Sequence, residues 1–174
     1  FISFQNPYII GTEKKEVYKT ISNNQLIGPG NFILKAEELL KKQLKCKKVV
    51  LTNSGTDALE MACILSNFGP GDEVIMPSFN FPSSGTSVLR TGATPVFADV
   101  SSKDMNISID SITRSITSAT KGIIVVHYAG ISANIIEIVK LAKKLNFIVI
   151  EDAAPAIYSK YKNKYLGSFG DFGV

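Results

Sequence analysis

A chain of 174 residues, 45% of them apolar, is long enough to bury one sizeable core. Its net charge of +4 comes from lysines such as Lys41, Lys42, Lys45, Lys47 and Lys48 set among glutamates, the pattern of a solvated helix face and not of a nucleic-acid surface. No apolar run approaches the roughly 18 residues of a membrane span, the N-terminus lacks a secretory pattern, and Cys46 and Cys63 have neither metal-ligand nor disulfide spacing, so a reducing cytoplasm is expected.

Short β-branched runs alternate with amphipathic stretches, which predicts an α/β fold with a mostly parallel sheet flanked by helices. Phe32, Ala36, Leu39, Leu40 and Leu44 fall at helical spacing and should bury one helix face, and Val49-Val50-Leu51 reads as a buried strand. A turn over 52–55 leads to a second helix with Ala58, Leu59, Met61, Ala62 and Leu65 on its apolar side, stopped by Asn67 and Gly69-Pro70-Gly71. Strands are expected at 73–76 and 94–97, separated by a loop that Pro77 and Pro82 keep irregular and a helix over 84–90. A helix over 109–117 precedes the buried strand 122–126, then comes a helix over 135–145, with Ile135, Ile138, Val139 and Ala142 on one face. Phe147-Ile148-Val149-Ile150 is the next strand and delivers Glu151 and Asp152; the polar, tyrosine-bearing tail over 158–170 reads as a hairpin.

Four segments follow directly on strands: the turn at Gly55, the loop at Ser78, the cluster at His127 and the pair Glu151-Asp152. Ligands of open α/β sheets bind outside the carboxyl ends of the strands, so these segments can converge on one crevice. In Asn53-Ser54-Gly55-Thr56-Asp57 the backbone N–H groups of Gly55, Thr56 and Asp57 can face an anion with the helix dipole behind them; the same residues also spell an ordinary N-cap. Asp152, at the end of an apolar strand, needs a positive partner, whether a metal, an arginine or a protonated ring nitrogen, unless it simply caps the next helix. Phe79 or Phe81 can lie flat on a planar ligand or plug the core edge. His127, the only histidine, can act as a general base or as a positioning group. One histidine and no clustered ligands argue against a metal site, and no glycine-rich fingerprint follows the first strand.

Together these stretches resemble the DegT/DnrJ/EryC1/StrS sugar aminotransferases. The matching runs are 53–59, Pro70-Gly71-Asp72-Glu73-Val74-Ile75 with Pro77-Ser78, Gly92-Ala93-Thr94-Pro95, His127-Tyr128-Ala129-Gly130, Glu151-Asp152-Ala153-Ala154 and Gly167-Ser168-Phe169-Gly170-Asp171. The resemblance implies the large domain of the type I pyridoxal-phosphate transferase fold, the one of aspartate aminotransferase, incomplete at its C-terminus. Residues 1–30 would be an N-terminal segment, 31–174 a partial cofactor-binding domain, and the small C-terminal domain would be absent. It further implies that Gly55, Thr56 and Asp57 hold the phosphate of pyridoxal 5'-phosphate, that Phe81 stacks on the pyridine and that Asp152 pairs with the ring nitrogen. One departure stands out: Pro155 occupies a place where the family has Gln or His, and it has no side-chain donor.

Within the family, Phe4 to Glu13, Ala58-Leu59-Glu60-Met61-Ala62, Met105-Asn106-Ile107 and 126–130 resemble the subgroup that acts on dTDP-4-dehydro-6-deoxyglucose. That implies amino transfer from glutamate to a nucleotide-linked keto sugar, for deoxyamino-sugar and polysaccharide biosynthesis, by a homodimer. The Schiff-base lysine of the family falls about seven residues past the position of Val174, and Lys160, Lys162 and Lys164 lie in the hairpin instead, so these residues alone are expected to be inactive. The alternatives are a dehydratase of the same fold using pyridoxamine phosphate, and a nucleotide-sugar-binding homologue without activity.

Overall fold

Alternation of strand and helix carries through most of the chain in the computed structural model, which describes residues 8–24 and 26–174. The expected match over 4–13 therefore lies partly outside the described residues. In chain order the elements are α1 (Glu13–Ser22), α2 (Asn31–Leu44), α3 (Gly55–Leu65), β1 (Glu73–Pro77), α4 (Ser83–Leu89), β2 (Thr94–Ala98), α5 (Ile109–Ser115) and β3 (Thr120–Val126). They continue with α6 (Ile135–Leu145), β4 (Ile148–Asp152), the two-residue strands β5 (Lys160–Tyr161) and β6 (Lys164–Tyr165), and β7 (Phe172–Gly173).

Five strands form one parallel sheet in the order β2-β1-β3-β4-β7. Strand order reverses between β1 and β3, the point at which open α/β sheets take their ligands, outside the carboxyl ends of the strands. Both faces are covered, as a parallel sheet requires. On one face Leu59, Ala62 and Cys63 of α3 and Val88 of α4 pack on Val74, Met76, Ile124 and Ile150. On the other, Ile112 of α5 and Ile135, Ile138 and Ala142 of α6 pack on Ile75, Ile123, Val125 and Val149. Successive strand side chains point to opposite faces. Continuing that alternation along β4 sends Glu151 to the α5/α6 face and Asp152 to the α3/α4 face.

The structure departs from the sequence reading at the N-terminal side. Residues 49–51 form no strand, and Val50 and Leu51 are exposed. A ladder needs a neighbour, and among the described residues none runs beside this segment; the Leu51 N–H instead donates to the Glu37 carboxylate at 3.0 Å. The apolar stripe of α2 is likewise uncovered, with Phe32 and Leu39 exposed and none of the helix's residues buried. An additional helix, α1, starts with Glu13 and Glu16 in its first turn, where they complement the dipole. The expected hairpin is real but shorter, confined to the antiparallel β5–β6 pair, and Lys162 and Asn163 at positive φ make its turn. The tail then returns to the main sheet as β7 on β4.

Candidate functional site

The turn before α3 builds the first part of the site. Ser54 is extended and its Oγ accepts the Asp57 N–H at 3.1 Å, while the Ser54 carbonyl accepts from Ala58. The N-cap is therefore real, and it consumes one of the three donors expected for an anion: the Asp57 N–H is not free. The N–H groups of Gly55 and Thr56 have no acceptor among the described residues. They open outward at the positive end of the helix dipole. A Cβ on Gly55 would come within 3.9 Å of the Ala154 Cβ, so the cradle lies against the chain that leaves β4.

Asp152 supplies the second part. Its register partner on β3 is Val126, and both side chains point to the α3/α4 face, the side of the cradle. The side chain is 6% exposed. Oδ1 accepts the Ala154 N–H at 3.1 Å, which fulfils the capping reading, yet no lysine or arginine among the described residues reaches the carboxylate. Burial pushes the carboxyl above the usual carboxylate range, and the Ala154 N–H only partly offsets it. Such a carboxylate is short of one cation.

The aromatic residues lie in the segments that follow β1 and β3. Phe79 packs on Tyr128 with ring centroids 5.1 Å apart and planes at 53°. Phe81, the residue expected to stack on the ligand, is 72% exposed and free to present a face. Tyr128 is fixed by its backbone: its N–H donates to Asn106 Oδ1 at 3.0 Å, and Asn106 Nδ2 donates to the Ile131 carbonyl at 3.3 Å. Asn106 is itself buried, so it acts as a clamp across the loop 128–131. Pro155 stands in a 3₁₀ turn over Ala154–Ala156, where its missing N–H costs nothing.

His127 lies elsewhere. It is fully buried, and alternation beyond β3 sends its ring to the α5/α6 face, away from the cradle. Nε2 meets Glu151 Oε2 at 2.9 Å and Nδ1 accepts the Ala133 N–H at 3.2 Å. Since Nδ1 accepts, Nε2 carries the proton and donates it to Glu151. Both nitrogens are engaged, and no lone pair remains for general-base work in the crevice.

Glu151, which sequence reasoning placed only as a neighbour of Asp152, holds this arrangement. Its fully buried carboxylate also accepts the N–H groups of Gly167 at 3.1 Å, Phe169 at 2.5 Å and Gly170 at 2.6 Å. Four donors meet one carboxylate, and its charge is satisfied internally. The available signal was the alternation on β4: two adjacent carboxylates must serve opposite faces. The arrangement on the α3 side can bind an anion at the helix N-terminus and a cationic planar ring against Asp152.

Known proteins resemble this chain in sequence and in fold. The model of the DegT/DnrJ/EryC1/StrS aminotransferase family matches residues 7–174. The GDP-perosamine synthase of Escherichia coli O157:H7 is 37% identical over the whole of this chain, which covers 48% of that protein. The aminotransferase from Psychrobacter cryohalolentis superposes with a TM-score of 0.91 at 35% identity, over 97% of this chain and 43% of that one. A Streptococcus pneumoniae protein assigned to the sugar aminotransferases, in its PLP form, gives 0.88 at 31% identity, over 98% of this chain and 47% of that one. The chain thus spans less than half the length of these relatives.

Proposed function

The chain belongs to the DegT/DnrJ/EryC1/StrS aminotransferase family, and on that premise we propose that it is the larger part of the cofactor site of a pyridoxal-phosphate-dependent sugar aminotransferase. The observation that carries this reading is Asp152: a buried carboxylate that no lysine or arginine among the described residues reaches, on the same sheet face as the open N-terminus of α3. One neighbour in the fold fits the same ligand, the N–H groups of Gly55 and Thr56, which have no acceptor among the described residues.

Pyridoxal phosphate, when bound, supplies the electron sink that lets an amino group pass between donor and acceptor. The residues of this chain bind and orient it. Gly55 and Thr56 take the phosphate through backbone N–H groups backed by the helix dipole. Asp152 keeps the pyridine nitrogen protonated, and the burial that raises its own carboxyl strengthens that pairing once the cation arrives. Phe81 covers a ring face. Pro155 leaves the cofactor without the side-chain donor found at this place in the family, and Asp57 contributes only its charge in the first turn of α3.

The donor is glutamate and the acceptor a nucleotide-linked 4-keto-6-deoxy sugar, with dTDP-4-dehydro-6-deoxyglucose the first to test. Residues 31–174 form part of the cofactor-binding large domain in this reading, preceded by the segment 1–30. The Schiff-base lysine and the small domain belong to the part of the relatives that this chain does not span, so the amino transfer belongs to the whole protein, a cytoplasmic homodimer. No helix among the described residues is long and apolar enough to cross a membrane.

The test adds pyridoxal 5'-phosphate to the full-length protein, follows its absorbance, and then offers glutamate with the dTDP-linked or the GDP-linked keto sugar. A spectral shift and transfer to the dTDP sugar are expected. Absence of a shift refutes the reading; transfer to the GDP sugar alone moves the acceptor. Loss of a sugar hydroxyl without transfer identifies the dehydratase, and sugar binding without turnover the inactive homologue.

A further inference from the structure

We propose that Glu151 is a positioning residue for Asp152, acting through His127 and the turn 167–170; this rests on the cofactor site proposed above. The carboxylate is a point at which three segments of the chain meet. It receives the His127 ring at 2.9 Å, and the Gly167, Phe169 and Gly170 N–H groups at 3.1, 2.5 and 2.6 Å.

These bonds bracket the 151–152 peptide from both flanks. On the β3 side His127 is bound twice, by its ring to Glu151 and by its backbone N–H to the Asp152 carbonyl at 3.0 Å. On the β7 side the turn that Glu151 gathers feeds straight into β7. There the Val174 N–H donates to the Glu151 carbonyl and the Val174 carbonyl accepts from Ala153, both at 2.8 Å. The orientation of Asp152 is set between these two flanks, and both depend on one side chain that faces the other side of the sheet.

The turn is shaped for this task. Gly167 has φ +82°, and a Cβ there would stand 3.2 Å from the Ala153 Cβ; at Gly170 it would stand 2.6 Å from the Val149 carbonyl oxygen. Only a chain without side chains at these points brings its N–H groups onto a carboxylate from so close. The division of labour between the adjacent acids follows. Glu151 has its charge satisfied by four internal donors, and Asp152 is left to an outside cation, held at a fixed angle.

The experiment uses full-length protein with pyridoxal 5'-phosphate labelled with ¹⁵N in the ring, because the nitrogen resonance reports pairing with Asp152 directly. Glu151→Gln places an amide donor among backbone donors. It is expected to weaken pyridoxal-phosphate binding about 10- to 100-fold, taking as scale the cost of losing the hydrogen-bond partner of a metal ligand, and to move the resonance toward the unprotonated position. Asp171→Asn is the structural control: Asp171 Oδ2 accepts the Val149 N–H at 2.9 Å, an anchor of the same turn with no contact to Glu151. It should leave the resonance in place.

An unmoved resonance in Glu151→Gln that still binds the cofactor overturns the proposal, as does an equal shift in Asp171→Asn. Should Glu151→Gln fail to fold, His127→Phe decides, since it removes one of four donors and keeps the ring's shape: a shift in the same direction supports the role and none overturns it. If the unaltered protein binds no pyridoxal phosphate, the proposed function itself falls and this role with it. Normal binding with an unmoved resonance strikes only Glu151.

Discussion

Replacing Asp152 by asparagine separates the two sides of the site's electrostatics, because it should act in opposite directions with and without cofactor. The amide oxygen can still accept the Ala154 N–H that Oδ1 holds at 3.1 Å, so the loop keeps its shape and only the charge is lost. In the cofactor-free protein, burial raises the Asp152 carboxyl above its ordinary value of 3.8. An acid with a raised folded pKa carries no penalty below its unfolded pKa and a full one above the folded value, so its ionisation opposes folding at neutral pH. Asparagine removes that penalty, and the cofactor-free variant should be the more stable at about pH 7.5 and no more stable near pH 3. With pyridoxal phosphate the sign reverses. At 6% exposure the pair between carboxylate and ring nitrogen is desolvated, and removing one charge of such a pair costs about 3–5 kcal/mol, roughly a hundred- to several-thousand-fold in Kd. Equilibrium titration with pyridoxal phosphate measures the second effect, and urea unfolding of cofactor-free protein at the two pH values the first. A Kd within about threefold of the unaltered protein, or a less stable cofactor-free variant at about pH 7.5, would refute the reasoning.

Gly170→Ala should cost about 3–6 kcal/mol in urea unfolding, from two short bonds to a charged acceptor, because the new methyl would stand 2.6 Å from the Val149 oxygen and force the turn off Glu151. A loss under about 1 kcal/mol would show that the turn relaxes without releasing the carboxylate. Ser54→Ala removes the cap of α3 and should cost about 1 kcal/mol in the same assay; no change would mean that the Asp57 N–H finds another acceptor. Ser84→Ala should be neutral or stabilising by up to about 1 kcal/mol, since the Ser84 hydroxyl is buried with no partner among the described residues. A clear loss of stability would reveal an acceptor it reaches.

The sheet was legible because its strands at 73–77, 120–126 and 148–152 are short apolar runs closed by turn residues and largely buried on both faces, while the edge strand at 94–98 leaves Phe97 exposed. Val49-Val50-Leu51 has the same composition and forms no strand. Composition reports what a segment can bury, and pairing depends on a neighbour that composition does not name. The site divides in the same way. Asp152 could be found from its place at the end of an apolar run, and the cradle from Ser54-Gly55-Thr56. The occupation of the Asp57 N–H by Ser54 needed coordinates, because cap and cradle use the same letters. His127 could not be sorted into its face by type alone; its ring turns from the cradle because two residues earlier Val125 already faces α5 and α6. The convergence on Glu151 spans 16 to 24 residues of chain and leaves no local pattern.

The four donors on Glu151 also bear on the order in which the molecule assembles. A fully buried carboxylate cannot shed its water until replacements are at hand, and three of the four replacements here come from a turn more than a dozen residues downstream. β4 can align with β3 early, but its end stays hydrated until the 167–170 turn has closed over it, a step that must first meet the entropy of loop closure. Docking of β7 and dehydration of Glu151 are therefore one event. A chain stalled before that event would hold Asp152 in a wet, unset groove, so the pocket proposed for the cofactor takes shape only once β7 has joined β4.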